Sequence, residues 1–270
     1  MKLVSALALM LVACSQVPSN SMNTEKYISP EDNQRYEELV LDGRGAFLEE
    51  TRTVVGVQNS HERYRQALAI RSDNYVVLWE AARTAVWLAN YGPEDKQEVY
   101  ARDGIKYANT AVKLKPDGEE GLFYDGVLAG KLADLDITYG PSGLEIIVQR
   151  MRQLIELKSR YIYGGPDRVL AMVLMRAPGS PLGPGDWDAA EKHMTRALEI
   201  DPNWPENQLY MAELDFGLAN KRSEPKHAES ARARLHKHFL SDDAQAPMGS
   251  KYEFIYWQED ARKLLEANKE

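Results

Sequence analysis

The chain has 270 residues, of which 44% are hydrophobic and 9% aromatic, enough for a packed core, so wholesale disorder is excluded. Its 41 acidic residues outnumber 33 basic ones, which gives a formal net charge of −8. No stretch gathers Lys and Arg into the stripe that nucleic-acid binding requires. The only long apolar run lies at the N-terminus and is too short to span a membrane.

The N-terminus has the organisation of a bacterial export signal. A basic start precedes an apolar run that ends in LVAC at residues 11–14, and Cys14 is the only cysteine of the chain. These four residues resemble a lipobox, in which cleavage leaves an acylated cysteine as the new N-terminus. We expect 1–13 to be a lipoprotein signal peptide and 14–28 a lipidated, flexible tether. An ordinary secretory signal with an incidental cysteine is the alternative.

The residue after Cys14 indicates a location. Ser15 stands where an aspartate would resemble an inner-membrane retention signal. We therefore expect a periplasmic protein that is attached by acyl chains to a bacterial membrane, with the outer membrane favoured.

A repeated heptapeptide organises the rest of the chain. The pattern Ala-Φ-x-Φ-x-[Pro/Ser]-[Asp/Asn], where Φ is apolar, occurs at 67–73, 111–117 and 197–203, and 154–160 matches it with Leu in the first position. The copies start 44, 43 and 43 residues apart. Each copy is typical of the last turn of a helix followed by the cap of the next, so the repeating unit is a helical hairpin. Residues 190–202 have the small-large-small-Pro spacing of a tetratricopeptide (TPR) second helix.

Helical periodicity and breaker residues predict eleven helices and no strand. The predicted helices are 31–50, 59–71, 75–90, 94–115, 118–135, 142–159, 165–176, 186–201, 205–220, 225–239 and 251–268. The predicted fold is all-α, a TPR-like α-α superhelix of about five helical hairpins plus a C-terminal helix, in one domain over 29–270. The loops richest in Gly and Pro are 139–143 and 177–185, where an array usually carries its variable binding surface.

Signatures of catalysis and metal binding are weak. The segment 126–131 has three residues between its glycines, one fewer than a phosphate-binding loop needs. His236 and His238 would diverge around a helix rather than chelate one ion, and we expect the histidines on solvated helices. We predict no enzymatic activity, no cofactor and no metal site. A hydrolase with its acids near 134–145 is the enzymatic alternative.

We expect the array to act through a groove or pore lined by apolar and aromatic side chains. The candidate partner or ligand surface flanks loops 139–143 and 177–185, and its residues are not part of the repeated heptapeptide. Its residues are Tyr139, Tyr163, Met175, Leu182 and Trp187. Packing between helices is the alternative for each of them.

Several short motifs between residues 163 and 213 carry a family resemblance. They are Tyr163-Gly164-Gly165-Pro166, Arg168-Val169-Leu170, Ala177-Pro178-Gly179, Pro181-Leu182, Gly185-Asp186, Pro205-Glu206-Asn207 and Ala212-Glu213. Together with the lipobox and the repeat they resemble the T component of tripartite ATP-independent periplasmic (TRAP) transporters, TatT-like lipoproteins built from degenerate TPR-like hairpins.

The resemblance implies a homotrimer that docks to the solute-binding P component and offers an apolar path for its ligand. It marks a set of motif residues, for which we also expect a structural role. They are Gly164, Gly165, Pro166, Pro178, Gly179, Asp186, Pro205 and Asn207. Two glycines permit a tight reversal, and Pro166 can occupy the first position of a helix. The alternative function is a generic TPR-like lipoprotein that scaffolds an envelope protein assembly.

Overall fold

The structure is a computed structural model that describes residues 28–48 and 52–269. The predicted signal peptide, Cys14 and the tether up to residue 27 lie outside the described residues. Helices make up about four fifths of the described chain, and its one isolated β-bridge joins Gly179 and Gly185. None of the helices that the structure describes is long and apolar enough to cross a membrane.

The described residues form eleven α-helices and one π-helical segment, which we call π1. In chain order they are α1 Pro30–Leu48, α2 Val54–Ile70, α3 Tyr75–Tyr91, α4 Glu94–Leu114, α5 Glu119–Leu135, α6 Gly140–Glu156, α7 Tyr161–Arg176, α8 Trp187–Ile200, α9 Pro205–Arg222, α10 Pro225–Leu235, π1 His236–Leu240 and α11 Lys251–Ala267. Consecutive helices pack as five hairpins, α1/α2 to α9/α10, with α11 after them. The predicted fold class is confirmed.

Each copy of the repeated heptapeptide ends the second helix of a hairpin, at the C-termini of α2, α4, α6 and α8. Its first residue is fully buried in all four copies, as Ala67, Ala111, Leu154 and Ala197. A small or apolar side chain at this point lets the second helix approach its neighbours closely, which explains why the position recurs. The repeat prediction is therefore confirmed.

Glycines on α5 make the crossing of α5 and α6 possible. A Cβ atom on Gly130 would lie 2.5 Å from Cδ1 of Ile147, and one on Gly126 would lie 2.7 Å from Cε of Met151. Both distances are shorter than carbon atoms tolerate, so a larger residue at either position would force the Ile147 or Met151 side chain to move. The two glycines thus leave room for these side chains of α6.

Three helices, α2, α6 and α7, start two or more residues earlier than predicted, and α7 begins at Tyr161 rather than at residue 165. α6 begins at Gly140, so most of the predicted loop 139–143 is its first turn. Gly and Pro break a helix interior, but a proline in the first turn costs no hydrogen bond because that N–H has no partner in any helix. α2 begins at Val54, five residues early, because the Thr53 hydroxyl accepts a hydrogen bond from the Gly56 amide at 3.0 Å and caps the helix.

Helix α11 connects the last hairpins to the first. It packs against α9 and π1, while its first turns reach α3. The Tyr252 ring lies 5.0 Å from Trp87, and Tyr256 lies 4.8 Å from Tyr91, measured between ring centroids. The Glu253 carboxylate accepts a hydrogen bond from the Trp87 indole at 2.7 Å and pairs with Arg52, which lies between α1 and α2. The array is thereby closed by contacts between residues far apart in the chain.

Candidate functional site

A cavity lies between the first helices of successive hairpins. Its volume is about 610 Å³, and it is lined from α3, α5, α7 and α9, with α6 at its edge; we call it the central cavity. Apolar side chains that line it include Val127, Leu144, Ile147, Val169 and Met172. It reaches the starts of the two connections predicted to carry binding surface, at Gly140 and at Pro178. A cavity of this size and lining is suited to an organic ligand.

Charged side chains form part of the wall of the central cavity. Arg168 pairs with Glu206 at 3.0 Å. Lys131 also lines the cavity, and among the described residues it has no carboxylate within ion-pair distance. Burial lowers the pKa of the Lys131 ammonium, since a charged group is poorly solvated there. The negative charge of Asp134, which also lines the cavity, opposes this shift, so the cavity combines an apolar wall with a partly buried cation that lacks a direct ion pair.

Aromatic rings continue the wall from α3 to α7. Trp79 stacks on Tyr124 with centroids 6.3 Å apart, and Phe123 meets Tyr161 edge-to-face at 5.3 Å. The Tyr161 hydroxyl donates a hydrogen bond to the Tyr124 hydroxyl at 3.2 Å. Burial raises the pKa of both phenols, so both stay neutral. They can donate hydrogen bonds but supply no charge.

The Tyr-Gly-Gly-Pro motif makes a left-handed turn at the edge of this cavity. Ile162, Tyr163 and Gly164 have φ values of 46°, 56° and 84°, and the right-handed part of α7 follows them. A positive φ is costly for a β-branched residue such as Ile162, so other contacts must hold the turn. Gly164 also packs so closely on α8 that a Cβ would lie 3.0 Å from Cα of Ala197. The glycine is required there for both conformation and space.

A buried polar network holds the turn. The Arg168 guanidinium donates to the Ile162 carbonyl at 3.2 Å and to the Asn207 side-chain oxygen at 2.9 Å. The Asn207 amide donates to the carbonyls of Tyr163, Ala197 and Asp201 at 2.8–3.0 Å. The turn at Ile162–Gly164, Arg168 and the Glu206-Asn207 pair thus form one cluster, although they belong to motifs some forty residues apart in sequence. We call this cluster the motif network. It borders the central cavity through Ile162, Arg168 and Glu206.

The remaining motif residues have structural roles. The Asp186 carboxylate caps α8 by accepting from the Ala189 amide at 3.0 Å. The Pro178 carbonyl accepts from the Gly185 amide at 2.8 Å, and Gly179 faces Gly185, which fixes the base of the 177–185 loop. Pro205 occupies the first turn of α9, where a missing N–H costs nothing. The structural interpretation of these residues therefore accounts for their contacts.

None of the five residues predicted to form the partner or ligand surface lines the central cavity. Met175 is buried in the core. Trp187 packs against Gly217 of α9, and Tyr139 packs beside the buried Leu132. Trp187 and Tyr139 are each only partly buried, so the structure records packing contacts for these residues and leaves their role in binding a prediction.

Tyr163 and Leu182 do reach the surface. Tyr163 is half exposed and stacks on Trp204 with ring centroids 4.1 Å apart. Leu182 is 85% exposed in the second loop, and Ile137, just before α6, is 91% exposed. Ile137 and Leu182 therefore present exposed aliphatic side chains on the two connections that lead into the central cavity.

The cavity-lining residues Lys131, Tyr124 and Tyr210 were not among the predicted site residues. Tyr124, Val127, Lys131 and Asp134 recur at spacings of three or four, which places them on one face of α5. This pattern was available in the sequence, but it also fits an ordinary amphipathic helix. Only the packing shows that the face lines a cavity.

Two histidines pair with buried carboxylates, and one of them, His227, was expected on a solvated helix. His193 Nδ1 lies 2.8 Å from Asp167, and His227 Nδ1 lies 2.9 Å from Asp215. In each case the acid is on the first helix of a hairpin and the histidine on the second, so the pair ties the hairpin together. In the part of the chain that the structure describes, no group of three or more His, Cys, Asp or Glu side chains is arranged to hold a metal ion.

Comparison with known proteins supports the fold. No protein-family model and no curated protein matches the sequence. Among solved structures, TTC0263, a thermophilic TPR protein of Thermus thermophilus, is 16% identical, with a TM-score of 0.58 over 84% of this chain and 99% of its own. The MamA protein is 14% identical, with a TM-score of 0.51 over 80% of this chain and all of its own. At these identities the likeness establishes a TPR-type fold and nothing more.

Proposed function

We propose that this chain is a non-enzymatic, lipid-anchored periplasmic subunit of a TRAP-type transporter assembly. In this proposal Cys14 holds it at a bacterial membrane, the loop side of the array docks the solute-binding P component, and the central cavity accepts part of an organic ligand. The assembly state proposed with it is a homotrimer. A TPR-like array is in general a protein-interaction scaffold, and the docking role follows from that architecture.

The main observation in favour is the position of the central cavity beside the motif network. The residues that resemble the T component are the ones that shape the cavity edge, since Arg168 and Glu206 belong to both. A cavity of about 610 Å³ with an apolar wall suits an organic molecule better than a peptide backbone, which needs a continuous series of hydrogen-bonding groups.

Two exposed aliphatic side chains support the proposal that a partner docks at the connections beside the central cavity. Ile137 and Leu182 stand on the turns of neighbouring hairpins, and both turns lead into the cavity. Isolated, strongly exposed aliphatic side chains on loops cost nothing to fold stability and are available to a partner. A partner that contacts both Ile137 and Leu182 would cover the entrance of the central cavity. Ligand transfer between two proteins requires such an arrangement.

The experiment is binding of the purified full mature chain to the solute-binding protein encoded beside it. Leu182→Asp should weaken binding at least tenfold without lowering the melting temperature, since this side chain has no packing role. Met248→Asp is the matched control, because Met248 is 98% exposed and lies outside both cavity-bordering loops. Unchanged binding in Leu182→Asp, or the lack of any such neighbouring gene, would favour the generic envelope scaffold instead.

A further inference from the structure

A second cavity lies at the C-terminal end of the array and shares no lining residue with the central cavity. Its volume is about 380 Å³, and it is bounded by the connection between α8 and α9, the first turn of α9, and α10 with π1. We call it the basic cavity. The polar and charged side chains that line it are Asn203, Gln208, Ser230, Arg234, Lys237 and His238.

Helix geometry brings three basic side chains together in this cavity. Arg234, Lys237 and His238 stand at positions i, i+3 and i+4, which share one helix face. The helix changes at this point from α to π geometry, and the Ser241 amide donates to the His236 carbonyl at 2.8 Å, five residues back. Single π-helical turns of this kind are frequent at functional sites because they re-aim side chains at a cost to helix stability.

The protein neutralises these charges only in part. Arg234 donates through Nη1 to Gln208, but its buried Nε has no hydrogen-bond partner. The carboxylate that pairs with Arg234 is Asp215, at 3.9 Å, and Asp215 is already engaged by His227 at 2.9 Å and by Ser230 at 3.2 Å. Among the described residues, neither Lys237 nor His238 has a carboxylate within ion-pair distance.

Two other arginines that are at least partly buried have closer carboxylate partners. Arg150 and Arg168 each have a carboxylate oxygen within 3.0 Å, from Asp125 and Glu206. At the basic cavity, by contrast, burial and the neighbouring charges of Lys237 and Arg234 lower the pKa of His238. The basic cavity is therefore a local site of positive charge in a protein whose net charge is −8, and such a site attracts anions.

We propose that the basic cavity binds a phosphate monoester group. The planar fork of Arg234 and the ammonium of Lys237 are the donors that phosphate oxygens prefer, and the Asn203 amide and the His238 ring can add neutral hydrogen bonds. A doubly charged oxyanion fits two permanent cations better than a carboxylate does. The group can belong to a soluble organic phosphate or to a lipid headgroup, since both present the same oxygens.

Titration of the full mature chain with inorganic phosphate at low ionic strength tests this site. The His238 ring resonances should shift saturably with phosphate but not with chloride at matched ionic strength, and the pKa of His238 should rise when the anion is bound. Lys237→Gln should weaken binding about tenfold, because it removes one charge-assisted contact from an exposed position without disturbing the fold. Lys106→Gln, an equal charge change on α4, is the matched control.

The source of the phosphate is tested by two further probes. Saturable binding of glycerol 3-phosphate that is lost in Lys237→Gln indicates a soluble ligand. Binding to phosphatidylcholine vesicles that increases with phosphatidic acid content, and does so less in Lys237→Gln, indicates a lipid headgroup. If phosphate, glycerol 3-phosphate and phosphatidic acid all bind Lys237→Gln as well as they bind the unaltered chain, the basic cavity is not a phosphate site.

Discussion

Glu253 should be the residue through which α11 contributes most to closure of the array. Its side chain is almost fully buried, accepts from the Trp87 indole at 2.7 Å and pairs with Arg52, whose side chain is only 13% exposed. Arg52 also donates to the carbonyls of Phe47 at 2.9 Å and Gly249 at 2.8 Å. One carboxylate thus joins the α1–α2 connection, α3 and α11.

Glu253→Gln keeps the shape of the side chain but removes its charge. Breaking one half of a buried ion pair costs about 3–5 kcal/mol, because the other ion is left without compensation. Two features place the expected loss at the lower end, about 3 kcal/mol. Arg52 retains two carbonyl partners, and the second oxygen of Glu253 already lacks a hydrogen bond. For a domain of this size the melting temperature should fall by roughly 6–12 °C.

Urea unfolding followed by circular dichroism measures this loss as a lower midpoint with an unchanged slope. Hydrogen exchange should show that the amides of α11 lose protection first, since α11 depends on this contact more than the hairpins do. Glu259→Gln, an exposed glutamate on the same helix, is the control and should change stability by less than about 0.5 kcal/mol. Equal unfolding free energies for the two variants would refute the assignment of Glu253 as the closing contact.

The motif network and the anchor give three further expectations. Asn207→Ala should cost about 3 kcal/mol in the free energy of unfolding measured by urea titration, because three buried carbonyls and Arg168 lose their partner; a loss under about 1 kcal/mol would contradict the network. Gly164→Ala should destabilise by more than about 1 kcal/mol through its positive φ and its contact with α8, measured in the same way. Cys14→Ser should abolish incorporation of labelled palmitate and membrane fractionation in a bacterial host; retention of both would end the lipoprotein assignment.

The repeat was predictable because its signals are local. The end of a helix, a buried small or apolar residue five positions before a Pro or Ser, and an Asp or Asn that caps the next helix all lie within one heptapeptide. The same local reasoning failed at α6, where Gly140 was interpreted as part of a loop although the proline after it is compatible with the first turn of a helix. A Gly or Pro residue indicates that a helix boundary is near, but not whether that residue lies inside or outside the helix.

The left-handed turn at Ile162–Gly164 was beyond prediction from sequence. Isoleucine and tyrosine rarely adopt a positive φ, so no local preference selects this conformation. Asn207 and Arg168, which lie on other turns of the fold, select it by holding its carbonyls. The motif that suggested a family could be found in the sequence, but the reason for its composition depends on tertiary contacts.

The residues that line the central cavity could not be predicted from the sequence either. Met175 and Val173 lie two residues apart on α7, yet one is in the core and the other lines the cavity. A hydrophobic pattern predicts which side chains are buried. A helix inside an array has neighbours on several sides, however, and the pattern does not show against which neighbour a cavity remains. Lys131 could have indicated the gap, because a cation at a partly buried position is costly unless that position borders solvent or a cavity. In this array Lys131 therefore marks the central cavity, whereas the aromatic candidates Tyr139 and Trp187 pack against neighbouring residues.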